Sequence, residues 1–263
     1  MNKSRASKIA AITYTLRDLA KKPSDVPKVL KKVRKIGYLN IQTSGGLYIE
    51  LPPAEFRKMA DDAGLTIIGA HVSLADMQND LSAVVDRLET YGTRYVAIPI
   101  VNPDKKTAAE WRRLTRQFEG EAKRLSKHGI ILQYHNHAHE FEKFGIRGGK
   151  GGATAHEIIM QNSSLQAELD VAWVARGGYD PADYLAGLKG RADQIHAKDW
   201  GIVHGQPEWR AVGEGGLNWK AIVKAAKTAR VKMYIVEQDN CPVTNDPLKS
   251  IAISFENLMQ MPL

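Results

Sequence analysis

The feature that most constrains the fold of this chain is a regular alternation between short apolar runs and longer amphipathic stretches. The runs lie at residues 9–14, 38–42, 65–70, 95–98, 130–132, 165–169, 194–197 and 233–236, roughly thirty residues apart. Each run is short and nearly all apolar, as expected of a parallel strand that is covered on both faces. The stretches between the runs have the apolar spacing of helices, and several end at a glycine, such as Gly37, Gly64, Gly92 and Gly129.

Eight successive strand and helix units predict a parallel sheet. In a chain of 263 residues, eight units favour closure into a (β/α)8 TIM barrel, formed by a single α/β domain over residues 1–263. A doubly wound open sheet is the alternative. The glycine-rich segment 145–152 (GIRGGKGG) is predicted to be a loop. It lacks the residue order of a P-loop, and no apolar strand runs into it as in a Rossmann turn.

The composition argues against several classes of protein. No apolar run approaches the roughly 18 residues that a membrane span needs. Cys241 is the only cysteine, which excludes an intramolecular disulfide and a cysteine-based zinc site. The formal charge is +8, but the basic residues within 28–35 interrupt an apolar pattern, as on the solvated face of a helix. We therefore expect a cytoplasmic protein with no nucleic-acid and no membrane partner. An exported protein whose signal has been removed would show the same composition.

Residues capable of catalysis stand where the predicted strands end. The segment 129–141 (GIILQYHNHAHEF) begins as an apolar run and then changes into a cluster of histidines with a glutamate. The residues of this kind along the chain are His71, His135, His137, His139, Glu140, Asp170, His196, Lys198 and Glu237. Because a barrel of this type forms its active site at the carboxyl ends of its strands, we expect these side chains to converge.

Such a set of side chains suits one divalent metal ion. Buried carboxylates that lie close together repel one another unless a cation or a proton lies between them. Two or three carboxylates with one imidazole suit Mn²⁺ best, or Mg²⁺, and Co²⁺ or Zn²⁺ would also be accepted.

A series of motifs runs along nearly the whole chain: ITYTLRD, GAHVS, YHNHAHEF, LDVAWVARGGYDP, IHAKDW, VGEGGLNW and YIVEQD. In this order they resemble the sugar phosphate isomerase/epimerase family, whose members are xylose isomerase-like TIM barrels. The ordered set is specific for the superfamily and poorly specific for the substrate. The resemblance implies a small-molecule carbohydrate substrate and a single divalent metal ion.

The resemblance also implies metal ligands at the ends of the fifth to eighth strands. The expected ligands are Glu140, Asp170, His196 and Glu237. Glu140 is the expected first ligand because the chain has the YHNHxxEF pattern of one branch, although His135 or His137 could take its place. In the ketose epimerase branch the first ligand is a glutamate where this chain has Tyr134. Many relatives carry an acid near the end of the second strand, where this chain has Gln42.

The chemistry implied by the resemblance is proton abstraction next to a carbonyl, with the metal stabilising an enediolate. In an isomerase or epimerase, Glu140 and Glu237 are the predicted proton-transfer residues. The alternative is a lyase or dehydratase that performs β-elimination on keto-sugars or 3-keto-glycosides. In that reaction one base removes the same proton, and His137 or His139 protonates the leaving group.

The remaining candidates have binding roles. The expected substrate-binding residues are His71, His135, His139, Trp173 and Lys198. His156 and two other histidines, His128 and His204, are expected at the surface or in loops, without a role. Two other classes stay as alternatives: a non-catalytic sugar-binding barrel, and an abasic-site endonuclease, which would need ligands for several metals. A barrel of this size is also compatible with a homo-oligomer.

Overall fold

Eight parallel strands close into a barrel in the structure, a computed structural model that describes residues 2–144 and 152–263. The barrel strands are β1 (Ile9–Ile12), β2 (Asn40–Thr43), β3 (Thr66–His71), β4 (Tyr95–Ile98), β5 (Ile131–His135), β6 (Gln166–Asp170), β7 (Gln194–Ala197) and β10 (Met233–Val236). They follow one another around the barrel in chain order, and β10 pairs with β1 to close it. The predicted (β/α)8 barrel is confirmed, and the open-sheet alternative is wrong. The predicted loop 145–152 lies, apart from Gly152, outside the described residues.

Helices connect the strands, and most lie where the sequence predicts them. They are α1 (Lys3–Ala6), α2 (Val26–Ile36), α3 (Leu47–Glu50), α4 (Pro53–Asp62), α5 (Leu74–Asn79), α6 (Leu81–Tyr91), α7 (Ala108–Ser126), α8 (Ala155–Asn162), α9 (Val171–Arg176), α10 (Pro181–Gly187), α11 (Trp219–Ala229) and α12 (Pro247–Gln260). Gly92 ends α6 with a φ of 69°, the left-handed conformation that favours glycine. Among the described residues, no helix has both the length and the apolar character needed to cross a membrane.

The strands that carry the candidate catalytic residues alternate between apolar and polar side chains. In β5, β6 and β7 the buried apolar set is Leu132, Tyr134, Ala167, Leu169, Ile195 and Ala197, and the buried polar set is Gln133, His135, Glu168, Asp170, Gln194 and His196. Because successive side chains of a strand point to opposite faces, one set packs against the helices and the other lines the barrel interior. Gln42 of β2 donates to Glu168 of β6 on the opposite side of the barrel, which places the polar set inside. The expectation of nearly all-apolar strands is therefore wrong for β5, β6 and β7.

Two apolar cores of unequal size result from this arrangement. The larger one fills the layer between the strands and the surrounding helices. The smaller one consists of Ala10, Ile12 and Ile235, with partly buried side chains such as Tyr14 and Ile68 packed against it. Most of the hydrophobic stabilisation thus lies outside the barrel wall, and the interior is free to hold polar groups.

A two-stranded antiparallel hairpin follows β7 and lies outside the barrel sheet. It consists of β8 (Asp199–Val203) and β9 (Gln206–Arg210). The buried Asp199 carboxylate accepts hydrogen bonds from the backbone N–H groups of Trp200, Gly213, Gly215 and Leu217 and from the Trp219 indole. A single carboxylate therefore connects the start of the hairpin to the chain that leads into α11.

We expect Asp199→Asn to destabilise the protein. The amide keeps only one acceptor oxygen, and its NH₂ group would face N–H donors that lose their partner, at a cost of roughly 3 kcal/mol. For a chain of this size that corresponds to a fall in Tm of about 5–10 °C, measured by thermal unfolding. Asp183→Asn is the matched control, because Asp183 is an exposed residue of α10. Equal Tm values for the two variants would contradict this account of the hairpin.

Candidate active site

The carboxyl ends of the barrel strands bring together five of the residues predicted from the sequence. They are His71, His135, Asp170, His196 and Glu237, and each is less than a tenth exposed. A sixth residue, Glu168, lies among them. Potential ligand atoms form two overlapping groups, each within 4.8 Å: one joins His71, His135, Glu168 and His196, and the other joins His135, Asp170, His196 and Glu237. These side chains therefore lie close together at one end of the barrel.

Glu168 lies at the centre of the first group and is fully buried. Its Oε2 is 2.6 Å from His71 Nε2 and 3.1 Å from His196 Nε2, and its Oε1 accepts from the Gln42 amide. Burial alone would raise the pKa of this carboxyl, but the neighbouring His196 and His71 lower it well below its usual range. Glu168 is therefore an anion that fixes the orientation of two imidazole rings.

The imidazole of His196 lies between two carboxylates. Its Nδ1 is 2.7 Å from Glu237 Oε2, whereas its Nε2 faces Glu168 and lies 3.0 Å from Gln42 Oε1. Burial acts to lower the pKa of His196, yet the Glu168 and Glu237 carboxylates raise it to about 10. Because Nε2 faces Gln42 and Glu168, a metal ion would bind Nδ1 on the Glu237 side, in place of the proton on that nitrogen.

Asp170 has one satisfied oxygen and one unsatisfied oxygen. Its Oδ1 accepts from the N–H groups of Ala172 and Trp173 at the start of α9, 2.9 Å each. Its Oδ2 is buried and makes no hydrogen bond with any described residue, and the Lys198 ammonium lies 3.4 Å from it. Burial raises the pKa of this carboxyl. A buried carboxylate oxygen that has a cationic neighbour but no hydrogen bond can take a further cation, so Asp170 Oδ2 fits a metal ligand.

The second group has the donor chemistry of a divalent metal site. It combines the carboxylates of Asp170 and Glu237 with the imidazoles of His135 and His196, a mixed oxygen and nitrogen set that suits Mn²⁺, Mg²⁺ or Zn²⁺. Burial and the charge on His196 lower the pKa of His135 to about 4, so this imidazole is neutral at pH 7 and available as a ligand. The residues present therefore fit one divalent ion.

Glu140, the expected first ligand, lies outside both groups. Its Oε1 accepts from the Tyr134 hydroxyl at 2.8 Å and lies 3.1 Å from His139 Nε2, and its Oε2 accepts from the His137 backbone N–H. These bonds hold the turn after β5. His135 stands among the ligand atoms instead, so the geometry favours the histidine alternative for the first ligand.

Lys198 is fully buried beside the proposed metal ligands. Its Nζ lies 3.4 Å from Asp170 Oδ2, 3.4 Å from Glu237 Oε2 and 2.9 Å from Asp239 Oδ2. Burial favours the neutral amine, but the three carboxylates keep the pKa of Lys198 above its usual value. Lys198 thus contacts Asp170, whereas the carboxylate of the adjacent Asp199 is engaged by the hairpin.

Tryptophan side chains cover this lysine. Lys198 Nζ lies 5.2 Å from the centre of the Trp173 ring and 4.7 Å from that of Trp209, and the two rings meet edge to face at 4.7 Å. Trp209 comes from β9 of the hairpin. The aromatic cover over the site is therefore built partly by the segment that Asp199 holds.

A central cavity of about 150 Å³ opens onto these groups. It is lined by Tyr14, Ser44, His71, Pro99, Ile100, His135, His137, Glu237 and Asp239. Two larger cavities of about 490 Å³ adjoin it. The first, here called the Arg176 cavity, shares Ile100 and His137 with the central cavity, and the second shares Ser44, His71 and Pro99. A ligand can thus extend from the site in two directions.

His137 and His139 differ in environment. Burial and the neighbouring His135 lower the pKa of His137 to about 4, so this imidazole is neutral at pH 7. His139 is less buried; burial opposes protonation, but the Glu140 carboxylate raises its pKa. A residue that donates a proton must hold it at the working pH, so His139 suits that role better than His137.

Three residues of the site region differ from the sequence predictions. Glu168 lies within a run predicted to be a nearly all-apolar strand, but it stands two positions before Asp170 and therefore on the same face. Asp239 stands two positions after Glu237 in the same way. His156, expected at the surface, is fully buried, and its Nδ1 lies 2.8 Å from the Tyr184 hydroxyl. Its burial depends on contacts with α10, which the local sequence does not reveal.

Comparisons with solved structures show the same fold in several proteins. A sugar phosphate isomerase/epimerase from Parabacteroides distasonis aligns with a TM-score of 0.82 and 22% identity, covering 97% of this chain and 95% of that chain. A xylose isomerase-like TIM barrel protein from Mycobacterium smegmatis in complex with magnesium aligns with a TM-score of 0.73 and 16% identity, covering 99% and 98%. A probable 3-DHS dehydratase from Bacillus anthracis aligns with a TM-score of 0.72 and 12% identity, covering 96% and 97%.

No curated protein shows significant similarity to the sequence. The model of a protein family does match, over residues 30–256, which include seven of the eight barrel strands. The match agrees with the resemblance inferred from the motifs, and the chain belongs to the family described as the xylose isomerase-like TIM barrel.

Proposed function

We propose that this protein is a divalent-metal-dependent sugar isomerase or epimerase that removes a proton from a carbon next to a carbonyl. The observation that carries the proposal is the group formed by His135, Asp170, His196 and Glu237 at the ends of four neighbouring barrel strands. The similarity to a sugar phosphate isomerase/epimerase and to a magnesium-bound barrel supports it.

One metal ion is expected, held by these four residues. When bound, a divalent ion would polarise the carbonyl and hydroxyl oxygens of a sugar and so acidify the neighbouring C–H bond. The two groups of potential ligands share His135 and His196, so they describe overlapping positions. This argues against an abasic-site endonuclease, which would need separate ligands for several ions.

Two side chains that line the central cavity can act on the substrate. Glu237 is an anion because Lys198 and His196 hold its pKa well below the usual range, against the effect of burial. His137 is neutral at pH 7, and its Nδ1 makes no hydrogen bond with a described residue. We propose that Glu237 takes the proton from carbon and, as the carboxylic acid so formed, returns it to the product, while the neutral His137 accepts a hydrogen bond from a substrate hydroxyl.

Lys198 has a supporting role in this proposal. Its ammonium group lies 3.4 Å from Glu237 and is shielded from water by Trp173 and Trp209. A fixed positive charge in a dry site stabilises the negative charge that develops on the substrate oxygen as the proton leaves carbon. His71 contributes by contacting the substrate from the opposite wall of the cavity, with its ring held by Glu168 and Ser44.

A lyase or dehydratase is the second candidate, and the two cavities beside the central one favour it. A glycoside that is cleaved between two bulky groups needs space on both sides of the reacting carbon. Two cavities of about 490 Å³ each adjoin the central cavity and would provide that space. The similarity to a probable dehydratase points the same way. In this reaction Glu237 would take the proton and His139 would protonate the leaving group.

We expect Asp170→Asn to weaken metal binding. The variant replaces the carboxylate whose Oδ2 has no hydrogen bond with a described residue. Because changes in residues that only support metal ligands already cost about tenfold to a hundredfold, the loss of a ligand carboxylate should lower the affinity by at least about tenfold. Isothermal titration with Mn²⁺ and Mg²⁺ measures the change directly, without any assay of turnover. Asp183→Asn is again the control for a surface carboxylate. Equal affinities for wild type and Asp170→Asn would contradict the proposed metal site.

We expect the metal-loaded enzyme to exchange a carbon-bound proton of keto-sugars for deuterium in D₂O, detected by NMR. Glu237→Gln should abolish exchange and turnover while the protein stays folded, because the amide cannot accept the proton. Glu256→Gln, an exposed glutamate of α12, should behave as wild type. An active Glu237→Gln enzyme would exclude Glu237 as the base.

The products of the same reaction distinguish the two candidate functions. An epimer or a ketose–aldose pair indicates an isomerase, whereas an unsaturated sugar with release of an alcohol or water indicates elimination. Absence of exchange with and without metal, over a range of keto-sugars and 3-keto-glycosides, would favour the non-catalytic sugar-binding alternative.

A further inference from the structure

Arg176 places a positive charge at the entrance to the site, and no described residue neutralises it. Its guanidinium lies 4.6 Å from the centre of the Trp209 ring, 4.8 Å from that of Trp173 and 5.8 Å from that of Trp200. Stacking on indole rings fixes a guanidinium but leaves its N–H groups free to donate. Arg176 forms neither a hydrogen bond nor an ion pair with any described residue.

Lys198 contacts the same two tryptophans as Arg176, but its charge is paired with protein carboxylates. It lies within 4 Å of three carboxylates, those of Asp170, Glu237 and Asp239. Both cations contact Trp173 and Trp209, but only Lys198 has protein anions beside it. The positive charge of Arg176 is therefore available to a ligand.

The space in front of Arg176 is large enough for such a ligand. The Arg176 cavity holds about 490 Å³ and joins the central cavity at Ile100 and His137. Among the described residues, the one acid that lines it is Glu142, which is 59% exposed and lies 3.8 Å from Lys106 Nζ. The indole nitrogen of Trp173, another lining residue, makes no hydrogen bond with a described residue. Two donors without described acceptors, Arg176 and Trp173, thus line a cavity that joins the cavity of Glu237.

We propose that Arg176 binds an oxyanion, the carboxylate or phosphate group of a sugar substrate, while the reacting carbon lies near His137 and Glu237. The planar guanidinium offers paired N–H donors that match either group. The inference rests on the proposed function for the identity of the ligand as a sugar. It makes the charge on the substrate a specificity determinant that is separate from the metal site.

The test is a titration of intrinsic tryptophan fluorescence, because three of the five tryptophans surround Arg176. The full chain, loaded with Mg²⁺, is titrated with glucuronate, glucose 6-phosphate and neutral glucose. We expect at least one of the two anions to reach half-saturation at a concentration at least about tenfold below that of glucose. The anion that binds more tightly identifies the source of the charge as a carboxylate or a phosphate.

Variants assign this preference to Arg176. In Arg176→Gln the preference for the anion should disappear, and in Arg176→Lys, which keeps the charge without the planar fork, it should be reduced severalfold. Arg112→Gln is the matched control, since Arg112 is an exposed arginine of α7 that lies in no described ion pair. The wild-type protein without added metal, treated with EDTA, should retain the preference, which separates binding at Arg176 from direct binding of the anion to the metal.

Two results would overturn the proposal: glucose binding as tightly as both anions, or an unchanged preference in both Arg176 variants. Circular dichroism establishes that each variant is folded; if Arg176→Gln is not, Arg176→Lys decides. The outcome is independent of turnover. Deuterium exchange with neutral keto-sugars tests the proposed function, so either proposal can fail while the other stands.

Discussion

A carboxylate buried inside the barrel, that of Glu168, is the group on which the arrangement of the site depends. β6, which carries it, lies opposite β2, and β3 lies opposite β7. Glu168 contacts side chains from β2, β3 and β7 at once. A charge taken this far from water is stable only with donors on several sides. Meeting that requirement orients the rings of His71 and His196, which stack at 5.5 Å.

The same requirement explains why the interior holds acids and bases in close proximity. Each buried carboxylate has a cationic or donating neighbour: His196 lies beside Glu168 and Glu237, and Lys198 lies beside Asp170, Glu237 and Asp239. Asp170 Oδ2 has the Lys198 ammonium beside it but no hydrogen bond with a described residue, so its pairing is incomplete. The carboxylates deeper in the barrel already have donating partners. A cation is therefore expected to bind beside Asp170, at the carboxyl ends of the strands, and not deeper in the barrel.

The fold could be predicted from the sequence because it depends on local signals. Apolar runs, helical spacing and glycine stops recur with each unit, and the barrel repeats them eight times. The positions of Asp170, His196 and Glu237 followed from the same repetition, since each ends a strand. Glu168 and Asp239 could have been found by extending the two-residue alternation along the strands.

Other features depend on contacts that the periodicity of a strand or a helix does not predict. The bonds of Glu140 to Tyr134 and His139 depend on how the turn after β5 folds back, so its expected place among the metal ligands could not be checked from spacing. The burial of His156 depends on Tyr184, and the hairpin depends on how Asp199 gathers donors from residues up to Trp219. In each case the alternation of a strand or the spacing of a helix does not identify the hydrogen-bond partner.

Lys198 and Asp199 are adjacent in the chain but belong to different parts of the structure. One side chain points into the polar interior, and the next anchors the hairpin whose Trp209 packs back over that interior. The hairpin is thus attached at a fixed point, the Asp199 carboxylate, and the rest of it can vary. Its exposed tip near Ile202 can change in length or sequence while the anchor and the buried polar groups keep their positions. Different covers can therefore be built over the same polar interior.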